Sequence, residues 1–188
     1  MDNRTDVDLT NVASVAAIAF TCLKRHNLKS GPGRVLRALL RSRPLTMNGG
    51  FLLAVTTNPE DSESIKSVTI GCSGEEESQI RVWRSEAVAM IQSVWQHRQQ
   101  GYRTSWESRN PDQGLFGGAI VTGQGLYVVC RGTGQEYYDE AMALVIAVLM
   151  GWVDLYYARE IGRLSGNPHF GPLCLETISA VIEPASTR

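Results

Sequence analysis

Gly117-Gly118-Ala119-Ile120-Val121-Thr122, Gly123-Gln124-Gly125, Leu126-Tyr127-Val128-Val129-Cys130-Arg131 is the stretch whose reading decides the fold. Two β-prone runs flank a short glycine-bearing turn, the usual signal for a tight antiparallel pair. Gly132-Thr133-Gly134 breaks the second strand, and Glu136, Asp139 and Glu140 open a helix whose positive dipole end favours carboxylates. From there Tyr138, Met142, Val145, Leu149, Trp152 and Tyr156 recur every three or four residues, which predicts one long helix reaching Tyr156. Ile146, Val148, Met150 and Val153 widen its apolar stripe almost all round. Such a helix is buried on two sides, either by its own sheet and a further layer or by a partner subunit.

Working outward, Asp8 or Thr10 caps a first helix with Val12, Val15, Ala16, Ala19, Phe20 and Leu23 on its apolar face, and Lys24, Arg25, His26 and Lys29 close it. Ser30-Gly31-Pro32-Gly33 is a break, and residues 29 to 44 form a basic helical insert carrying Arg34, Arg37, Arg41 and Arg43. Phe51 to Thr56 and Ser67 to Cys72 read as two strands joined by a polar loop. A helix from Ser78 buries Ile80, Trp83, Ala87, Met90, Ile91 and Val94 and fades near Gly101. Tyr102 to Gln113 reads as a surface loop, Gly162 to Pro172 as irregular, and Leu173 to Ile182 as either an edge strand or a short helix. Short connections between neighbouring strands predict an α+β fold, an antiparallel sheet of four to five strands with helices on both faces. The length, 188 residues, fits a single domain, with 1 to 7 and 183 to 188 loose ends.

A formal charge of -1 gives no overall drive toward nucleic acid or a membrane surface, and no basic-then-apolar leader opens the chain, so the expected setting is cytoplasmic. Cys22, Cys72, Cys130 and Cys174 are scattered without a C-x-x-C pair, and His26, His97 and His169 each stand alone. That spacing offers no metal site and suits buried reduced thiols. No G-x-S-x-G, G-x-G-x-x-G or G-x-x-x-x-G-K-[ST] occurs, so no catalytic residue is assigned. Gly132-Thr133-Gly134 has the shape of a phosphate-cradling turn, yet Glu136, Asp139 and Glu140 already occupy that positive end. Glu107, Asp112, Arg103 and Arg109 crowd the loop before the hairpin, the default composition of a solvated face. Trp83 and Trp152 fall on helical stripes and belong to the core.

Trp83-Arg84-Ser85-Glu86-Ala87, Thr104-Ser105, Gly117-Gly118, Val121-Thr122-Gly123-Gln124-Gly125, Val128-Val129, Gly134 and Asp139-Glu140-Ala141 follow one another in an order that resembles the haem-degrading and haem-binding domain family. Phe116 stands where that family sometimes has a histidine. The resemblance implies a sheet with helices on both faces, assembly into a homo-oligomer, and haem or another small molecule as ligand. It also implies cofactor-binding positions at His26, the one histidine in the first helix, and at Gly117 and Gly118. Two function classes follow. One is a small-molecule, tetrapyrrole-type binding or sensing module that self-associates. The other is a non-catalytic structural or protein-interaction subunit.

Overall fold

The computed structural model describes residues 7–29, 50–72 and 77–182. Helix α1 (Leu9–Lys29) leads to strands β1 (Phe51–Thr56) and β2 (Lys66–Ile70). Helix α2 (Glu77–Gln96) follows, then β3 (Ala119–Val121), β4 (Tyr127–Arg131), α3 (Glu136–Leu149), α4 (Leu155–Ser165) and α5 (Phe170–Ile182). The strands make one antiparallel sheet in the order β2-β1-β4-β3. The four strands among the described residues lie at the lower end of the expected range. Leu53 pairs with Val68 on one side and Cys130 on the other, and Val128 pairs with Ile120.

Side chains alternate across this sheet, as a pleated strand requires. Leu52, Ala54, Ala119, Val121, Tyr127 and Val129 face α2, where Trp83, Ala87, Met90, Ile91 and Val94 meet them. Phe51, Leu53, Val55, Ile120, Val128 and Cys130 face the opposite layer, built from α1 and α3. α5 packs over α1 and α3. Helices therefore cover both faces, as the alternation of strand pairs and helices implied.

Asp8 caps α1, its Oδ1 accepting the Thr10 N–H at 2.9 Å, and Val12, Ala16, Ala19 and Phe20 are buried on the predicted face. The Thr122–Gly125 turn closes with the Gly125 N–H donating to Thr122 O at 3.0 Å, Gly125 in the left-handed region.

The long helix divides. α3 stops at Leu149 because Gly151 takes a left-handed φ of 70°, its N–H donating to Val148 O and that of Trp152 to Ala147 O. These paired bonds satisfy the last carbonyls and turn the chain. Asp154 then caps α4 by accepting the Tyr157 N–H at 2.7 Å. Periodicity alone carried the pattern through this break, and Tyr156, expected on the buried stripe, is 75% exposed. α3 itself is buried from Tyr138 to Ala147, enclosed by the sheet below and by α1 and α5. Its all-round apolarity thus matches cover from its own chain, the first of the two alternatives.

Leu173 to Ile182 is helical within α5, and most of the stretch read as irregular is ordered: α4 runs to Ser165 and α5 starts at Phe170. Cys22, Cys130 and Cys174 are buried thiols and Cys72 is partly so. The basic insert from Arg34 to Arg43 and the ends, residues 1–6 and 183–188, lie outside the described residues. Among the described residues no helix is long and apolar enough to cross a membrane.

Candidate functional site at the head of α3

The first two turns of α3 carry Glu136, Asp139 and Glu140, and each carboxylate is fixed to a different part of the chain. At 100° per residue, neighbours on a helix point to different surroundings. Glu136 accepts two hydrogen bonds from Arg109, from Nε at 2.8 Å and from Nη2 at 2.9 Å, and one from the Gly117 N–H at 2.6 Å. Burial pulls its pKa up, but these donors outweigh burial and hold it below the ordinary carboxylate value.

Asp139 has no exposed surface. Its Oδ1 accepts the Thr133 N–H at 3.0 Å and lies 2.7 Å from the Thr133 hydroxyl, while Oδ2 lies 3.1 Å from Arg131 Nη1. Burial pushes its pKa up to about 6, against the pull of Arg131 and Thr133. Arg131 also donates from Nε to Glu86 Oε2 at 2.6 Å, and its guanidinium lies 4.3 Å from the centre of the Phe116 ring. The Gly132-Thr133-Gly134 turn, with its resemblance to an anion cradle, is thus occupied by the chain's own carboxylate.

Glu140 is buried, and among the described residues no cation pairs with it. Thr104 Oγ1 donates to Oε1 at 2.9 Å, and Ser165 Oγ and Asn167 Nδ2 donate to Oε2, the latter at 2.9 Å. Burial raises its pKa against these three neutral donors. One carboxyl therefore joins α3, the 101–114 connection and the α4–α5 turn.

That connection is less exposed than its polar sequence implied. Thr104 and Ser105 are buried, Thr104 bridges to Ile120, and the Arg103 carbonyl accepts the Val121 N–H at 2.9 Å. Glu107 completes a capping box with Thr104. The Arg109 guanidinium lies 5.2 Å from the centre of the Trp106 ring, and Tyr137 stacks on Trp106 at 4.4 Å. The Trp106 Nε1 is buried without a hydrogen-bond partner among the described residues.

Gly117 and Gly118, the predicted binding pair, lie at this head just before β3. A Cβ on Gly117 would collide with the Trp106 indole. One on Gly118 would meet Asp139 Cβ and Met90 Cε, both at 3.0 Å, and Gly118 has φ 132°. The space beside both glycines is filled by protein, so they serve close packing of the hairpin on α3. Gly117→Ala should therefore lower stability by about 1–3 kcal/mol, the range for overpacking a filled site, as read by denaturant unfolding. The backbone of His26 falls within α1, and its side chain lies outside the described residues. No described contact joins it to the glycine pair.

His97 and His169 are ordered by neighbours, His97 stacking on Tyr102 at 5.1 Å and His169 tilted on Tyr138 at 4.1 Å. Among the described residues no group of histidines, cysteines and carboxylates is arranged to hold a metal ion. Sequence reading found the three carboxylates but assigned them to the helix dipole, and it missed Arg109, Arg131, Thr133, Thr104, Ser165 and Asn167 as their partners. The available signal was three carboxylates within five residues at the start of an otherwise uncharged helix. No family model matches the chain, and neither a curated protein nor a solved structure matches it.

Proposed function

We propose that the chain is a small-molecule binding or sensing module that self-associates, with the head of α3 as its responsive centre. The observation that supports this most is Asp139, a fully buried carboxyl whose proton is held up to about pH 6, coupled through Arg131 to Glu86 and Phe116. Perturbed carboxyls tied to a specific charge partner concentrate at functional sites, because burying a charge is costly where only packing is needed. Phe116 and Glu86 are both partly exposed, so the group connects to the surface. A tetrapyrrole is the ligand class implied by the resemblance. With Gly117 and Gly118 closed by the chain's own atoms, it would depend on His26 for its axial donor.

Self-association draws no support from α3, which its own chain covers. Tyr156, Leu164 and Leu175, exposed on α4 and α5, are the apolar side chains that would carry it. The same residues support the second reading, a structural or interaction subunit. So does the pairing of Arg109 and Arg131 with carboxylates of the chain itself.

Haem titration followed by absorption, on wild type and His26→Ala, with solution mass measured on the same samples, separates the two. The expected result is a shifted Soret band that the substitution abolishes, on a particle heavier than one chain. An unshifted spectrum in both proteins would remove the tetrapyrrole, and a heavier particle with that spectrum would favour the interaction subunit.

A further inference from the structure

At the far end of the β3–β4 hairpin from Gly117, one arginine lies against a tyrosine ring and a second against the hairpin tip. Arg103 lies with its guanidinium carbon 5.6 Å from the centre of the Tyr157 ring. The Arg98 guanidinium rests on the hairpin tip, its Nη1 3.3 Å and Nη2 3.6 Å from where a Gly125 Cβ would lie. Tyr157 is anchored there by its hydroxyl, which donates to Val121 O at 2.7 Å. Burial pushes the Tyr157 phenol up, and Arg103 and Arg98 both pull against it, which places both cations within electrostatic reach of the same ring.

Neither guanidinium has an ion-pair partner among the described residues. Arg81, Arg109, Arg131 and Arg163 each do. Glu107 and Asp154 nearby each give one carboxylate oxygen to backbone amides, and the Glu107 charge also pushes the Tyr157 phenol up. Glu107 Oε2 accepts the Arg103 and Thr104 N–H groups at 2.6 and 3.0 Å, and Asp154 Oδ1 accepts that of Tyr157 at 2.7 Å. Gly123 and Gln124 at the tip are exposed, so the approach to both arginines is open. Guanidinium forks match the planar spacing of phosphate and carboxylate oxygens.

We propose that Arg103 beside Tyr157 and Arg98 beside the Gly123–Gly125 turn form a clamp for an oxyanion carried by a small ligand, a phosphate or a carboxylate. This site is separate from the head of α3 and does not depend on haem binding. A ligand held there touches β3 through the turn and the 101–114 connection through Arg103.

The test is a titration of the full chain with inorganic phosphate and, separately, acetate, against chloride at matched ionic strength. Amide shifts of Gly123, Gln124 and Gly125 report binding. Saturable shifts with phosphate alone would assign a phosphoryl ligand, and with acetate a carboxylate. Arg98→Gln and Arg103→Gln should each weaken binding by about tenfold, one charge-assisted contact being lost. Arg103→Lys, which keeps the charge and loses the fork, should weaken it by less. Shifts that are linear and equal to those in chloride, or saturable binding that survives in the double Gln variant, would overturn the proposal. Unchanged amide positions in α3 establish that each variant is folded.

Discussion

Glu140→Ala should lower the unfolding free energy by about 3–5 kcal/mol at neutral pH, one of the two largest losses expected of any single substitution here. The truncation strands three donors at once: the Thr104 hydroxyl, the Ser165 hydroxyl and the Asn167 amide. Each buried group left without a partner costs about 1–3 kcal/mol. Asn167 keeps its bond to the Tyr137 carbonyl at 2.7 Å, and Ser165 lies within reach of the Ile161 and Gly162 carbonyls, which holds the sum below three full penalties. Glu140→Gln should lose about half as much, since its carbonyl can still accept while its amide confronts a donor. Urea or guanidinium unfolding of the two variants beside wild type reads the difference directly. Equal, small losses would mean that Glu140 does not join the three segments.

Arg131→Met should lose a similar amount, about 3–5 kcal/mol, because it leaves the buried Asp139 carboxylate without its cation. The loss should depend on pH in a definite direction. In the wild type the folded pKa of Asp139, about 6, lies above its ordinary value of 3.8. The folded state holds the proton more tightly, so this contribution is fully present below about pH 4 and is lost as pH rises through 6. It amounts to roughly 3 kcal/mol. Arg131 pulls that pKa down, so removing it moves the midpoint upward and extends the loss to higher pH. Arg131→Met should therefore be further below wild type at pH 8 than at pH 5. Glu136 works in the opposite sense: its pKa is held low in the folded protein, so its contribution is present at neutral pH and falls away in acid. Stability against pH should be read after subtracting that acid-side decline. A gap that is constant with pH would contradict a buried, unpaired Asp139.

The sheet and its two helical layers were legible because the signals were local. β1, β4 and α2 carry their burial pattern in their own residues, and the Gly123–Gly125 turn marks its hairpin. The break at Gly151 was not, because Met150, Trp152 and Val153 keep a helical apolar pattern across a glycine that the chain uses to turn. Periodicity cannot separate a continuous helix from two that share a core. The Leu173–Ile182 segment was ambiguous for a related reason, its cover by α1 and α3 being invisible in a short apolar run.

The site was legible in part. Gly117 and Gly118 were marked by their type, but what they admit is set by Trp106 and Asp139, 11 and 21 residues away in the chain. Glu136, Asp139 and Glu140 were seen as a charge cluster on a helix end. Their partners come from β4, α4 and three connections, separated from Glu140 by 36 residues at Thr104 and 25 at Ser165. Side-chain contacts at that separation are a property of tertiary packing, and no spacing in one sequence encodes them.

The most direct test of this account is a carbon-detected NMR titration of the side-chain carboxyls in the folded protein. The structure leads to a midpoint near pH 6 for Asp139, moved upward by Arg131→Met, and a Glu140 midpoint above the ordinary glutamate value. An Asp139 that titrates near its ordinary value of 3.8 in the wild type and is unmoved by Arg131→Met would contradict the buried, coupled carboxyl on which the responsive centre rests.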